Sequence, residues 1–299
     1  MSAPTLNPPT LNLSRSALPL RRRLTDRIAT GLIVGAVLLA VIPLGLVTYQ
    51  VVKAGAGILD WDFLTLDTPA SPRRTGGGMA PAIVGTLVIT GMASLLAIPL
   101  GVLGAIYLNE YGKTSPLAKF IRTMADVMTG VPSIVMGLFI YVAWVLTFEE
   151  RSGFAAALAL ACLMLPVVIR STEEILRLVP DELRAGSLAL GARQWRTTVT
   201  VVLPAAISGI TSGALLAIAR AAGETAPLIV TAGVVYTVNP NLFEGENTAL
   251  PAQIFSNATQ PFAAAQERAW GAALTLVIIV LLFTIIARAI SARFAIKER

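Results

Sequence analysis

The chain has no histidine and a single cysteine, Cys162, in 299 residues. Without histidine, imidazole acid–base chemistry and His-ligated metal sites are excluded. One cysteine cannot close an internal disulfide, and in the middle of an apolar run its thiol is expected to be buried and inert. No Gly-x-x-x-x-Gly-Lys-Ser/Thr loop is present, so the chain itself is not expected to bind ATP. Neither a nucleophile–base pair nor a metal-ligating cluster stands out, so no catalytic residue, metal or cofactor is expected. Charge is scarce as well: 13 % of residues are charged against 55 % hydrophobic, with a mean hydropathy of +0.75. That balance excludes a soluble domain and implies a polytopic membrane protein. A transmembrane barrel would show short alternating segments instead.

Six uncharged runs are long enough to span a bilayer: Ile28–Val52, Pro81–Asn109, Val127–Phe148, Ser152–Ile169, Thr197–Ala219 and Ala269–Ala287. Each reaches the roughly 18 or more residues a helix needs to cross about 30 Å. The expected fold is therefore all-α, with six transmembrane helices. Arg21-Arg22-Arg23 precedes the first run, which is too long for a signal-peptide core and lacks a clear cleavage site, so it reads as a retained span. The expected organisation is a disordered N-terminal segment over 1–27, a membrane domain over 28–290 and a tail over 291–299.

Alternating the loops places 17 Lys and Arg on the side of both termini and 5 on the other, with Arg220 apart. The positive-inside rule then puts both termini in the cytoplasm. The +6 net charge is thus a topology signal and gives no reason to invoke nucleic acid. Thr197–Phe243 is long enough to cross twice, but a seventh span would move the basic tail outside. One crossing is expected, with Thr225–Phe243 continuing toward the outer surface or partly re-entering.

Against this uncharged background, Arg220 and Glu224 stand four residues apart, with no other charge between Thr197 and Phe243. The spacing puts both on one helix face. Gly223 and Pro227 weaken the helix at the same point. A charge at bilayer depth costs about 2.5–3.5 kcal/mol on insertion scales, so such a pair marks a solute pathway or its gate. The alternative is an ion pair that only fixes helix packing. Arg170 closes the fourth run, where a snorkelling topology residue is the competing explanation. Among the prolines within the runs, Pro132 in Gly130-Val131-Pro132-Ser133 is the expected flexible point. Trp61, between Asp60 and Asp62, is expected at the outer interface or against a binding protein.

Between the fourth and fifth runs, Pro180-Asp181-Glu182 reads as a helix start, with acids in the first turn. The helix continues through Arg184-Ala185-Gly186-Ser187-Leu188 and ends at Gly191, suited to a left-handed cap. A second short helix is expected from Arg193-Gln194-Trp195. Together they would form a knob whose Leu/Ala/Trp surface suits a partner's groove.

This loop resembles the coupling loop of ABC importer permeases: Gly191 and Val201-Val202-Leu203-Pro204 fit the family pattern, although Ala185-Gly186-Ser187 replaces its Glu-Ala-Ala and Glu182 lies one turn earlier. Three further stretches narrow the resemblance to the A-type permeases of phosphate-specific ABC importers: Ala219 to Leu228, Gly130 to Phe139, and Gly76-Gly77-Gly78 with Ala82-Ile83-Val84-Gly85-Thr86-Leu87. The resemblance covers roughly residues 25–295. It implies an importer permease fold and a C-type permease subunit as partner. It further implies two ATP-binding cassette ATPase subunits and an extracytoplasmic phosphate-binding protein, with ATP bound by the ATPases. Arg220, Glu224 and Arg170 would line the substrate pathway. Ala185, Gly186, Ser187, Leu188, Gly191 and Trp195 would contact the ATPase, and Gly223, Pro227 and Pro132 would act as hinges, with membrane lipid around the whole. Two other readings stay open: a permease for another oxyanion or polar solute, and a transporter that works alone on an ion gradient.

Overall fold

The structure, a computed structural model, describes residues 20–294. Residues 1–19 and 295–299, which hold most of the expected N-terminal segment and the end of the expected tail, lie outside the described residues. Helix α1 (Leu20–Gly55) begins before the apolar run and continues through Pro43 without a break. The chain divides into two units, residues 1–50 and 51–299. The part of α1 in the first unit is apolar and exposed on all sides between Thr30 and Tyr49, the character of a helix that meets lipid or another subunit.

In the second unit, Asp60 caps the short α2 (Trp61–Thr65) by accepting from the Phe63 N–H at 2.7 Å, and Trp61 stands 77 % exposed. Helix α3 (Ala80–Ile106) runs into a wide π turn at Tyr107–Tyr111. Ser115 caps α4 (Pro116–Gly130), and α5 (Ser133–Ile140) follows, then a π turn at Tyr141–Val145 and the single turn α6 (Leu146–Phe148). Helix α7 (Gly153–Leu178) is the most buried of the long helices. After α8 (Asp181–Ala189), α9 (Gln194–Thr197) passes through a π turn at Thr198–Val202 into α10 (Leu203–Ala222). Two short helices, α11 (Ala226–Thr231) and α12 (Leu250–Ala258), precede α13 (Ala263–Phe294).

Small residues explain why α7 can occupy the centre. Ala155, Ala156, Ala157, Ala159 and Ala161 are buried on it, and Ala93, Ala97 and Ile89 face it from α3. A Cβ at Gly101 would sit 2.7 Å from the Val168 methyl, so glycine there lets the two backbones close up. In lipid, where burial of apolar surface gives no drive between helices, such close packing is the main source of association.

The six-span fold stands, with three refinements. Among the described residues five helices are long and apolar enough to cross a membrane, and six spans result when α4 and the α5–α6 stretch are taken as one, bent by 108° at Val131-Pro132. Hydropathy of Val127–Phe148 carries no information about that bend; the proline, with no N–H to give and a fixed φ, makes it. The fourth span does not end at Arg170, because α7 continues to Leu178 and stops before Pro180. Finally, the second helix of the knob is not short: Gln194 to Ala222 forms one long span.

The apolar stretch after Pro227 does not make a second crossing. Helix α11 is only six residues long. The chain then runs without helix to Ala249 and packs on α3, where a side chain at Gly85 would strike the Thr248 carbonyl and Thr86 Oγ1 accepts from the Leu250 N–H at 2.8 Å.

Candidate transport pathway and coupling elbow

Arg220 lies in the last turn of α10, which ends at Ala222 beside Gly223; Glu224 follows, its N–H donating to the Ala221 carbonyl at 3.1 Å. Pro227 occupies the first turn of α11, where its missing N–H costs nothing. On the other side of α11, Gly137 of α5 meets Pro227 so closely that a Cβ would lie 2.6 Å from the proline Cα. The two helix breaks, at Pro132 and at Gly223, are therefore joined by one tight contact.

The Arg220–Glu224 pair is loose. Its closest approach is 3.8 Å, and the Arg220 side chain is 70 % exposed against 22 % for Glu224. An exposed pair at that distance contributes little to stability, about 0–1 kcal/mol. That argues against a mainly structural pair. Among the described residues the Arg220 guanidinium makes no hydrogen bond, so its five N–H groups remain available to an anion. Met164, Val167 and Leu163 of α7 wall the other side of the small recess holding the pair.

Arg170 is placed differently. It sits two turns before the end of α7, ion-paired to Asp126 of α4 and to Glu173 at 3.2 Å, and donates to the Arg122 carbonyl. Glu173 is 1 % exposed and also accepts from Arg122 at 2.7 Å and Arg177 at 2.7 Å. Arg122 further donates to the Leu108 and Lys113 carbonyls at 2.8 and 2.9 Å. Arg170 is thus one member of a network tying the end of α3, α4 and α7 together, its guanidinium occupied where that of Arg220 is open.

The elbow has the expected cap. Gly191 takes φ +83°, where a side chain would be strained, and the Gly191 and Ala192 N–H groups donate back to Leu188 and Ser187. Ser187 Oγ lies 2.9 Å from Thr197 Oγ1, fixing the two arms to each other. Ala185, Gly186, Leu188 and Trp195 all face outward, and Leu190 is 91 % exposed.

What holds the elbow on the bundle was not foreseen. Arg184 reaches Glu110, in the π turn that ends α3, with Nη2 to Oε1 at 2.9 Å and Nε to both carboxylate oxygens at 3.2–3.3 Å. The same guanidinium donates to the Leu176 and Val179 carbonyls, and Gln194 donates to the Glu110 carbonyl. Side-chain exposure is 12 % for Arg184 and 6 % for Glu110. The hydrogen bonds it donates to the Glu110 carboxylate raise the Arg184 pKa above its ordinary value, so the guanidinium is charged at every physiological pH. The sequence offers one signal: Arg184 is the sole cation of α8, on a helix whose outer face is apolar.

A bundle of this order, broken in the third span and carrying a helical elbow between the fourth and fifth, is the permease fold of type I ABC importers. Solved structures agree: the inward-facing MetNI methionine ABC transporter superposes with a TM-score of 0.58 at 18 % identity, covering 73 % of this chain and 94 % of that one. A bacterial ABC transporter for the import of the acidic polysaccharide alginate gives 0.61 at 15 % identity over 92 % and 100 %. The sequence model of binding-protein-dependent transport system inner membrane components matches residues 97–296, and the chain belongs to that family. Phosphate transport system permease protein PstA 1 of Mycobacterium tuberculosis is 43 % identical over 94 % of this chain and 92 % of its own length. PstA of Yersinia pestis is 40 % identical over 96 % and 97 %. The chain is therefore a multi-pass inner membrane component of an ABC importer, acting with ATPase and substrate-binding partners rather than as an enzyme.

Proposed function

We propose that this chain is the permease subunit through which an ATP-driven importer moves inorganic phosphate into the cytoplasm. The observation that carries the substrate is the identity of about two residues in five, over nearly the whole length, with phosphate permeases. The exposed, hydrogen-bond-free Arg220 supports it, because a planar guanidinium can hold two phosphate oxygens at once. Glu224 would orient that guanidinium or oppose the anion and so keep binding weak enough for release.

The partner set would be a C-type phosphate permease, two ATP-binding cassette ATPases that bind the nucleotide, and an extracytoplasmic phosphate-binding protein. The outward apolar side chains of the elbow, Leu188, Leu190 and Trp195, suit an ATPase groove. ATPase closure would move α8, and Arg184 would pass that motion to α3 and α7. Gly223, Pro227 and Pro132 would bend as the bundle alternates between outward- and inward-open forms. Arg170 would bear on this through its ion-pair network. Both termini would be cytoplasmic.

The test uses proteoliposomes holding the whole complex, with Glu244→Cys in a Cys162→Ala background as a sidedness marker, since Glu244 is exposed in the loop before α12. Labelled phosphate should accumulate only with ATP enclosed and the binding protein outside, and an impermeant maleimide added from outside should label position 244. Accumulation without ATP would remove the importer reading, and labelling only from within would reverse the topology.

A further inference from the structure

At the elbow end of the bundle, a cavity of about 280 Å³ opens between the π turn of α3, α4, the last turns of α7 and the start of α8. Its wall carries four cations, Lys113, Arg122, Arg177 and Arg184, against one carboxylate, Asp181. The counter-ions that make this possible are tucked behind it. Glu110 and Glu173 are 7 % and 1 % exposed and accept from Arg184 and from Arg122 and Arg177. Those pairs fix the guanidiniums in position, and with Asp181 paired to Arg184 as well, the four cations meet three carboxylates and leave one positive charge uncompensated.

Two donors at the rim remain open. Among the described residues Lys113 makes no side-chain hydrogen bond or ion pair, and Arg177, 56 % exposed, commits only Nη2, to Glu173. The fixed arginines and the two adaptable donors present several N–H groups around that one uncompensated charge, which suits the several oxygens of a tetrahedral phosphoryl anion better than the two of a carboxylate. The cavity also lies where α3 and α7 end, and basic pockets between such helix ends bind phospholipid head groups.

We infer that this cavity is a second anion site, for a phosphoryl group carried by free phosphate or by an anionic phospholipid. It is distinct from Arg220 and independent of the import reading, since it needs only the cavity and its charges.

The whole complex, carrying Arg220→Ala so that the pathway guanidinium cannot contribute, would be compared with the same complex bearing Lys113→Glu or Arg177→Gln. Both positions are exposed, Lys113 has no side-chain partner among the described residues, and Glu173 keeps Arg122 and Arg170 when Arg177 is replaced, so the Lys113 variant reads the site without disturbing a buried pair. Equilibrium binding of radiolabelled inorganic phosphate reads one source. Phosphatidylglycerol retained through detergent exchange, against phosphatidylcholine, reads the other. Lys113→Glu should weaken one of the two ligands roughly tenfold or more, the loss of a charge-assisted hydrogen bond plus a reversed charge. Loss of saturable phosphate binding identifies the free anion, and loss of retained phosphatidylglycerol identifies the head group. If neither ligand binds, or neither responds to Lys113→Glu, the site does not exist.

Discussion

Phosphate uptake by a complex carrying Arg220→Ala should fall at least about a hundredfold, while assembly and membrane insertion stay normal. Each charge-assisted hydrogen bond to phosphate is worth about 1.5–3 kcal/mol, and a guanidinium can make two. Assembly should survive because the side chain is largely exposed and its ion pair to Glu224 is long. Arg220→Lys keeps the charge but loses the planar fork, so it should fall between wild type and alanine. Glu224→Gln separates two roles for the carboxylate. If it opposes the anion, the neutral amide should hold phosphate longer and slow turnover; if it only orients Arg220, uptake should drop toward the alanine variant. Uptake by Arg220→Ala within a factor of two or so of wild type, at equal complex yield, would remove Arg220 from the pathway.

The second large effect concerns the elbow. Arg184→Ala strands Glu110 in a nearly closed site, and removing one member of a buried pair costs about 3–5 kcal/mol. Two readouts should move together: the melting temperature of the complex falls, and stimulation of ATP hydrolysis by the loaded binding protein is lost while the basal rate persists. Replacing both members, Arg184→Leu with Glu110→Leu, removes the stranded charge and should recover most of the stability. It should not recover coupling if the pair transmits the elbow's motion. Full coupling in that stable double variant would leave the pair a structural role only.

The difference between these two sites explains what could be read from the sequence. Arg220 and Glu224 were legible because they are local: two charges, a glycine and a proline within eight residues of an uncharged run. Gly191 was legible for the same reason, since one backbone position needs a left-handed residue at the end of a patterned helix. Arg184 and Glu110 were not, because their pairing spans 74 positions and depends on a π turn that swings Glu110 inward. A lone acid at a span's end looks like an interfacial residue until its partner is placed.

The same limit accounts for Arg170. The apolar run stops at Arg170, but the helix does not, because Glu173 and Asp126 compensate the charges that end the run and α7 continues for two more turns. Hydropathy locates where charge appears; Val179 and Pro180 decide where the helix stops. For the stretch after Pro227, composition marked it as apolar without distinguishing a crossing helix from an extended segment packed on α3. Gly85, with no side chain to obstruct the Thr248 carbonyl, is the residue that admits the second arrangement.

The most direct test of the phosphate permease is ATP hydrolysis by the purified complex, measured with its binding protein loaded in turn with phosphate, sulfate and molybdate. The phosphate-loaded protein should stimulate hydrolysis, and the other two should leave it at the basal rate. Stimulation by the sulfate- or molybdate-loaded protein, with none by the phosphate-loaded one, would contradict the account.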